Sequence, residues 1–261
     1  LTDDGEAPLS RNTDKACLRE LHATALKHKQ ERSKKGLRRH ENRLLERLAD
    51  GREVNPRAIS PRLIEVTKNS DEELLFRYAT LHWSIPVSPG YGRRVRFLVV
   101  DEQNDKLMGL FGLGDPVFNL GARDRWIGWN KVAAKRRLRN VMDLFALGAV
   151  PPYSDLLCGK LVGLLATSDE VRRAVLNKYS GQKGTISGTN QDAQLALLTT
   201  TSALGRSSIF NRLKFCGELA YISVGFTKGN GEFQFANGLY TAISRYATQH
   251  LTPTAKKAAW G

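Results

Sequence analysis

Residues 141–155 read VMDLFALGAVPPYSD, and the fold turns on this stretch. Val141 to Val150 holds one charge, Asp143, in ten residues, and Pro151 and Pro152 cannot continue its backbone pairing. A short apolar run bounded by such breakers reads as a buried strand. After Pro152 come Leu156, Leu157, Leu161, Leu164 and Leu165, spaced for the inward face of a helix. A further strand is expected at Leu195 to Thr201, dense in leucine and threonine. Strand, helix and strand in succession predict a mixed α/β (α+β) domain, a central mixed sheet flanked by helices.

Upstream the period changes to two. Val95, Phe97 and Val99 alternate with Arg94, Arg96 and Leu98, the run ends in a turn at Asp101–Asp105, and Leu107 to Leu113 follows, which predicts a hairpin. Arg123 to Trp129 is expected as a third strand of this meander, with its tryptophans in the core. Ser70 followed by Glu73 forms a capping box ahead of a helix that buries Leu74, Leu75, Tyr78 and Leu81. Downstream, Ser168 opens a short helix towards Tyr179, residues 180–193 read as loop, and Ser207 to Lys214 make one or two helical turns. Ala220 to Thr227 is expected as a strand, turned by Gly229-Asn230-Gly231 into Phe233 and Phe235. Asn237 then caps a last helix carrying Leu239, Tyr240, Ile243 and Tyr246 on one face.

Asp14 to Ala49 reads as a helical segment, with Leu18, Leu21, Ala25, Leu37, Leu44, Leu45 and Leu48 among many cations. Gly36 is expected to break it in two. Gly51 to Pro61 has linker composition, so the chain divides into a basic helical arm, 1–51, and an α/β domain, 52–261.

Of 261 residues, 41% are hydrophobic and 25% charged, a balance able to bury a core. No run of eighteen apolar residues and no secretory signal is seen, so a cytoplasmic protein without membrane contact is expected. Three cysteines without CxxC spacing and dispersed histidines predict reduced thiols, no metal and no cofactor. The net charge of +14 and isoelectric point near 9.9 point to a polyanionic partner, nucleic acid first, with an acidic protein as the alternative.

Two cationic groups are candidates to contact phosphates: Lys34, Lys35, Arg38 and Arg39 in the arm, and Lys131, Lys135, Arg136, Arg137 and Arg139. Charge reversal in the first group is expected to weaken binding without lowering thermal stability. Arg206, Ser207 and Ser208 form a candidate anion site, in which Arg206 would supply a bidentate fork; the alternative is a serine serving only as a helix cap. Lys160 near a helix start is a further candidate, although the glycines of a P-loop are missing. Arg123-Asp124 reads as a structural ion pair. Cys158 sits where a helix start would favour a thiolate, yet a small core residue is the simpler reading. Glu218 and Tyr221 fall where an acid or base can lie.

The order of elements resembles the acyl-CoA N-acyltransferase (GNAT-like) fold, in which the loop after the central strand receives a pyrophosphate. Here that loop opens with Pro151-Pro152, which lack amide hydrogens and so count against coenzyme A. Asn211-Arg212-Leu213-Lys214 and Val224-Gly225-Phe226 are similar to that family's ending. A more specific resemblance rests on Gly90-Tyr91-Gly92-Arg93-Arg94, Gly112-Leu113-Gly114-Asp115-Pro116-Val117, the Arg123–Trp129 segment, Gly148–Ser154, Gly159-Lys160-Leu161, Thr200–Ser208 and Gly225–Phe233. Together these resemble the DruA family of the Druantia anti-phage system, over most of residues 75–261. The resemblance implies a role in bacterial defence beside a large helicase-like partner, and it transfers no catalytic residue. The expected function is therefore a nucleic-acid-binding defence component, with DNA favoured over RNA. An acyl- or aminoacyl-transferase using a pyrophosphate-bearing donor, and a non-catalytic assembly subunit, are the alternatives. The sequence leaves the oligomeric state open.

Overall fold

The computed structural model describes residues 15–87, 92–182, 194–227 and 238–252. In chain order the elements are α1 (Lys15–Leu37), α2 (Glu41–Leu45), β1 (Pro61–Glu65), α3 (Asp71–Thr80), β2 (Arg94–Asp101), β3 (Lys106–Gly114), α4 (Gly121–Ile127), α5 (Lys131–Arg137) and β4 (Val141–Ala149). After them come α6 (Gly159–Leu165), α7 (Asp169–Tyr179), β5 (Leu197–Thr199), α8 (Ser208–Arg212), β6 (Lys214–Phe215), β7 (Glu218–Leu219) and α9 (Leu239–His250). Strands β1 to β5 make one mixed sheet in sequence order. The first four are antiparallel, and β4 pairs in parallel with β5 through the α6–α7 crossover, as a helix-filled connection allows.

This is the mixed α/β architecture that residues 141–155 predict. β4 is the apolar stretch, and β2 and β3 are the hairpin. Ser70 caps α3 as expected, its hydroxyl oxygen accepting from the Glu73 amide at 3.2 Å, but the Glu73 carboxylate accepts from the Asn69 amide at 2.8 Å in place of the Ser70 amide of a capping box.

Both faces of the sheet are covered. On one, Val95, Phe97, Met108, Phe111 and Met142 pack against Val162 of α6, Ala166 just after it, and Val171 and Val175 of α7. On the other, Leu98, Val100, Leu107 and Leu110 pack against Leu75, Phe76 and Ala79 of α3, and against Leu37 and Leu44. The segment at 50–61 is stitched to the β2–β3 turn. The Ser60 amide donates to buried Asp101 at 3.0 Å, and the Asn104 side chain donates to the Glu53 carbonyl at 2.9 Å. Tyr153, from the loop after β4, donates to Asp101 at 2.9 Å, and burial pushes its phenol up to about 12.

The structure departs from the sequence reading in several places. Arg123 to Ile127 belongs to helix α4, not a third strand, because Arg123 turns inward to bind carbonyls while Gly128, at φ 78°, closes the helix. Trp126 is consequently 53% exposed rather than core. α1 runs straight through Gly36, and the break falls at a 3-10 turn, Arg38–His40. Strand β1, which the sequence pattern does not predict, begins at Pro61, the last residue of the linker stretch. Leu161 and Leu165 of α6 pack against the core as expected, beside the more deeply buried Val162 and the flanking Cys158 and Ala166, whereas Leu156 and Leu157 are exposed in the turns before the helix. Cys158, by contrast, is the small core residue expected, its thiol pushed up by burial. β5 is shorter than expected. No strand forms at Ala220 to Thr227; only the two-residue pair β6–β7 precedes it. In α9 the residues Leu239, Tyr240, Ile243 and Tyr246 share a face as expected, but that face is exposed. Asn237, Phe233 and Phe235 lie outside the described residues, as does most of the 180–193 loop.

Two glycines give opposite expectations. A Cβ on Gly109 of β3 would stand 2.6 Å from Val162 Cγ2 and 2.7 Å from the Gly148 carbonyl oxygen, whereas one on Gly36 meets nothing within 4 Å. Gly109→Ala is expected to cost about 1–3 kcal/mol through overpacking, and Gly36→Ala to stabilise by roughly 0.5–1 kcal/mol through helix propensity. Thermal unfolding of both variants checks the pair.

Candidate nucleic-acid interface

A cleft of about 1990 Å³ opens between α1 and the β4–β5 side of the sheet. α1 supplies one wall because Leu18, His22, Ala25, Lys29, Arg32 and Gly36 recur at alternating steps of four and three, a single stripe along the helix. Three bonds tie α1 across the opening. Lys15 donates to the Arg206 carbonyl at 2.8 Å, Gln30 donates to the Leu81 carbonyl at 2.8 Å, and Lys29 donates to the Val87 carbonyl. Burial, and then the nearby charge of Arg94, lower the Lys29 ammonium from its ordinary range.

The remaining walls add Arg77 of α3, Arg125 of α4, Arg172 of α7 and Arg206. Arg172 is paired to Asp169 at 3.1 Å; Arg32, Arg77, Arg125 and Arg206 make no ion pair among the described residues. The floor is β4 and the chain leaving β5. Phe145 lies flat over Gly112, where a Cβ would stand 2.3 Å from its ring, and carries the Arg94 guanidinium at 4.0 Å on its ring. Beside it, Asp143 accepts from the Thr199 hydroxyl at 2.9 Å. Burial pushes the Asp143 carboxyl up, against the Thr199 hydrogen bond and the charge of Arg123, which pull it down.

Arg123, 2% exposed, is a structural anchor. It pairs with Asp124 at 2.8 Å and donates to the Val117 and Phe118 carbonyls at 2.8 and 3.1 Å, so it fixes the loop before α4. This matches the ion pair read from the sequence. Tyr221 is a plug rather than a free acid or base. Its hydroxyl donates to the Gly163 carbonyl at 2.7 Å, and burial pushes it up to about 12. Glu218 lies exposed on β7.

Of the residues singled out from sequence, Arg206 lines the cleft. Ser207 caps α8, its hydroxyl oxygen accepting from the Ile209 amide at 3.3 Å, and α8 has only five residues. Ser208 is the exposed first residue of α8, and Lys160 is exposed on α6 outside the cleft. Lys34, Lys35, Arg38 and Arg39 are exposed around the C-terminal end of α1, off the stripe that faces the cleft. Lys131, Lys135, Arg136 and Arg137 are exposed on α5, and exposed Arg139 follows it. The sequence reading missed Arg77 and Arg125, and it gave Lys29 and Arg32 no role beyond the arm. Their spacing along the chain carries no local motif. Among the described residues no three His, Cys, Asp or Glu side chains cluster to hold a metal, and no helix is long and apolar enough to cross a membrane.

A mixed α/β sheet with a basic, aromatic-bearing cleft under a polar helix defines the class. The chain belongs to the DruA family: the family model, described as Druantia protein DruA, matches residues 12–261 and so takes in the N-terminal helix as well. The chain is 42% identical over 245 residues to the Druantia protein DruA of Escherichia coli (strain UMEA 4076-1), the family's namesake from an anti-phage defence system. The match covers 94% of this chain, which spans 60% of that relative's length. No solved structure matches significantly.

The Asp143 carboxyl gives a signed expectation. Because its folded value is raised, ionisation opposes folding near neutrality, and that cost fades as pH falls through the folded value towards the ordinary aspartate value, about 3.9. Asp143→Asn is expected to resist denaturant better than the parent at pH 7 and to converge with it near pH 4. A gap independent of pH contradicts this.

Proposed function

We propose that the chain is a nucleic-acid-binding component of bacterial anti-phage defence, acting on DNA in preference to RNA. The observation that carries the reading is the cleft itself. Lys29, Arg32, Arg77, Arg125 and Arg206 line a space with one acidic side chain among the described residues, Asp143, which accepts a hydrogen bond from Thr199. Walls of one charge sign raise the local concentration of an oppositely charged ligand. A volume near 1990 Å³ also exceeds the roughly 300–1,000 Å³ of ordinary small-molecule pockets. The exposed cations on and after α5 and at the end of α1 extend the field outward and would steer a phosphate polymer towards the opening.

The family's place in anti-phage defence supports DNA, the form in which most invading genomes must be met. The same reading includes a cytoplasmic site of action beside a helicase-like partner, which would deliver or receive the strand. No observation favours the acyltransferase alternative: the loop after β4 opens on two prolines, and the helix beyond it begins only at Gly159.

Titration of a labelled DNA at increasing salt tests the reading. Affinity is expected to fall linearly on a log–log plot, each phosphate contributing about 0.7 to the slope for a single strand and about 0.9 for duplex. Replacing Arg32, Arg125 and Arg206 together with alanine is expected to flatten that slope by about 2. Reversing Lys34, Lys35, Arg38 and Arg39 to glutamate is expected to weaken binding with the melting temperature unchanged. A binding curve indifferent to both variants rejects the cleft and the arm as contact surfaces.

A further inference from the structure

We infer that the cleft receives a single-stranded nucleic acid whose bases stack on Trp126 and Phe226. This inference rests on the cleft being a nucleic-acid site and adds the strandedness of what it takes. Trp126 and Phe226 both line the cleft, and they stay 53% and 78% exposed. Phe118, Phe215 and Tyr246 are as open to solvent, so what sets Trp126 and Phe226 apart is their place in one cleft beside Arg32, Arg125 and Arg206.

The two belong to one wall. Ala122 and Trp126 are one turn apart on α4 and so lie on the same helix face. A Cβ built on Gly225 would contact Ala122 Cβ at 3.5 Å, so the segment carrying Phe226 lies against that turn. The wall is rigid at its root, because buried Arg123, between those two residues in sequence, clamps the loop before α4 through the Val117 and Phe118 carbonyls. Arg125 stands next to Trp126 on the same helix, and Arg206 and Arg32 line the same cleft.

Exposed ring faces and backbone-binding cations in one groove are what a single strand needs. Its bases turn a π-face outward, and stacking tolerates every base. A duplex stacks its bases internally and offers phosphates alone to such a surface, leaving Trp126 and Phe226 without a role. Of the other aromatic side chains lining the cleft, Phe145 is covered by Arg94, and Phe210 and Tyr221 pack edge to face on each other with centroids 5.4 Å apart.

Fluorescence anisotropy with a labelled oligothymidylate, a duplex of matched length and an oligouridylate tests the inference. The single strand is expected to bind more tightly than the duplex. Trp126→Ala is expected to weaken single-strand binding about tenfold, and Phe226→Ala by a similar factor, with duplex binding unchanged. Trp126→Phe, which keeps a ring, should stay within about twofold of the parent, and the parent's tryptophan emission should be quenched on binding. Oligouridylate binding more tightly than oligothymidylate with the same Trp126 dependence supports the single-strand site and moves the preference to RNA. Duplex binding as tight as the single strand, or single-strand binding indifferent to Trp126→Ala, overturns the inference while the nucleic-acid reading stands. Retention of no polymer at low salt overturns both.

Discussion

Strand β3 presents no side chain to water along Leu107 to Gly114, and the rest of the molecule follows from that constraint. A sheet buried on both faces needs two apolar covers. One comes from α3 with Leu37 and Leu44, the other from α6 and α7. The glycines of β3 make the close approach possible, since Val162 and the Gly148 carbonyl press on Gly109 and the Phe145 ring presses on Gly112. With both faces covered mainly by other helices, α1 adds only its last residue, Leu37, to that cover and needs little further apolar surface of its own. It stays polar, tied across the opening by side chains that reach main-chain carbonyls, and its stripe faces a cavity instead of a core.

The cleft therefore lies beside the covered sheet, at the edge where β4 meets β5 and α1 crosses over. β5 pairs with only three residues of β4, Val141 to Asp143, and the chain beyond it carries on past Thr199 and Thr200 to Arg206. Cations reach the cleft from four separate helices and a loop. Arg123 holds the α4 wall, so the aromatic and basic side chains on that wall are positioned by a buried guanidinium rather than by loop packing.

What could be read in the sequence was whatever has a local period. The ten-residue stretch ending at Val150, the Arg94–Asp101 alternation and the Ser70–Glu73 cap all became the elements expected, because each is decided by neighbours within a few positions. α4 was not legible. Its inward arginine looks like a surface charge until the carbonyls of Val117 and Phe118 are seen around it, and the misplaced strand took Trp126 into the core with it. The leucine count after Pro152 named the helix and its core-packed Leu161 and Leu165 but started it too early, since Leu156 and Leu157 belong to the turns that precede Gly159. The overall charge pointed towards a polyanion. Its focus was hidden, because Lys29, Arg77, Arg125 and Arg206 lie far apart in sequence and meet only through the fold. The arm and α5 cations, dense in sequence, drew attention for being adjacent.

Photo-cross-linking of a 4-thiothymidine oligonucleotide, followed by peptide mapping, tests the central claim most directly, because it reports where the strand lies rather than whether it binds. Cross-links are expected on α4 around Trp126, on the segment ending at Phe226 and near Arg206, with α1 labelled at Lys29 or Arg32. Labelling confined to α5, or to the exposed end of α1 beyond Ser33, would contradict the cleft as the binding site.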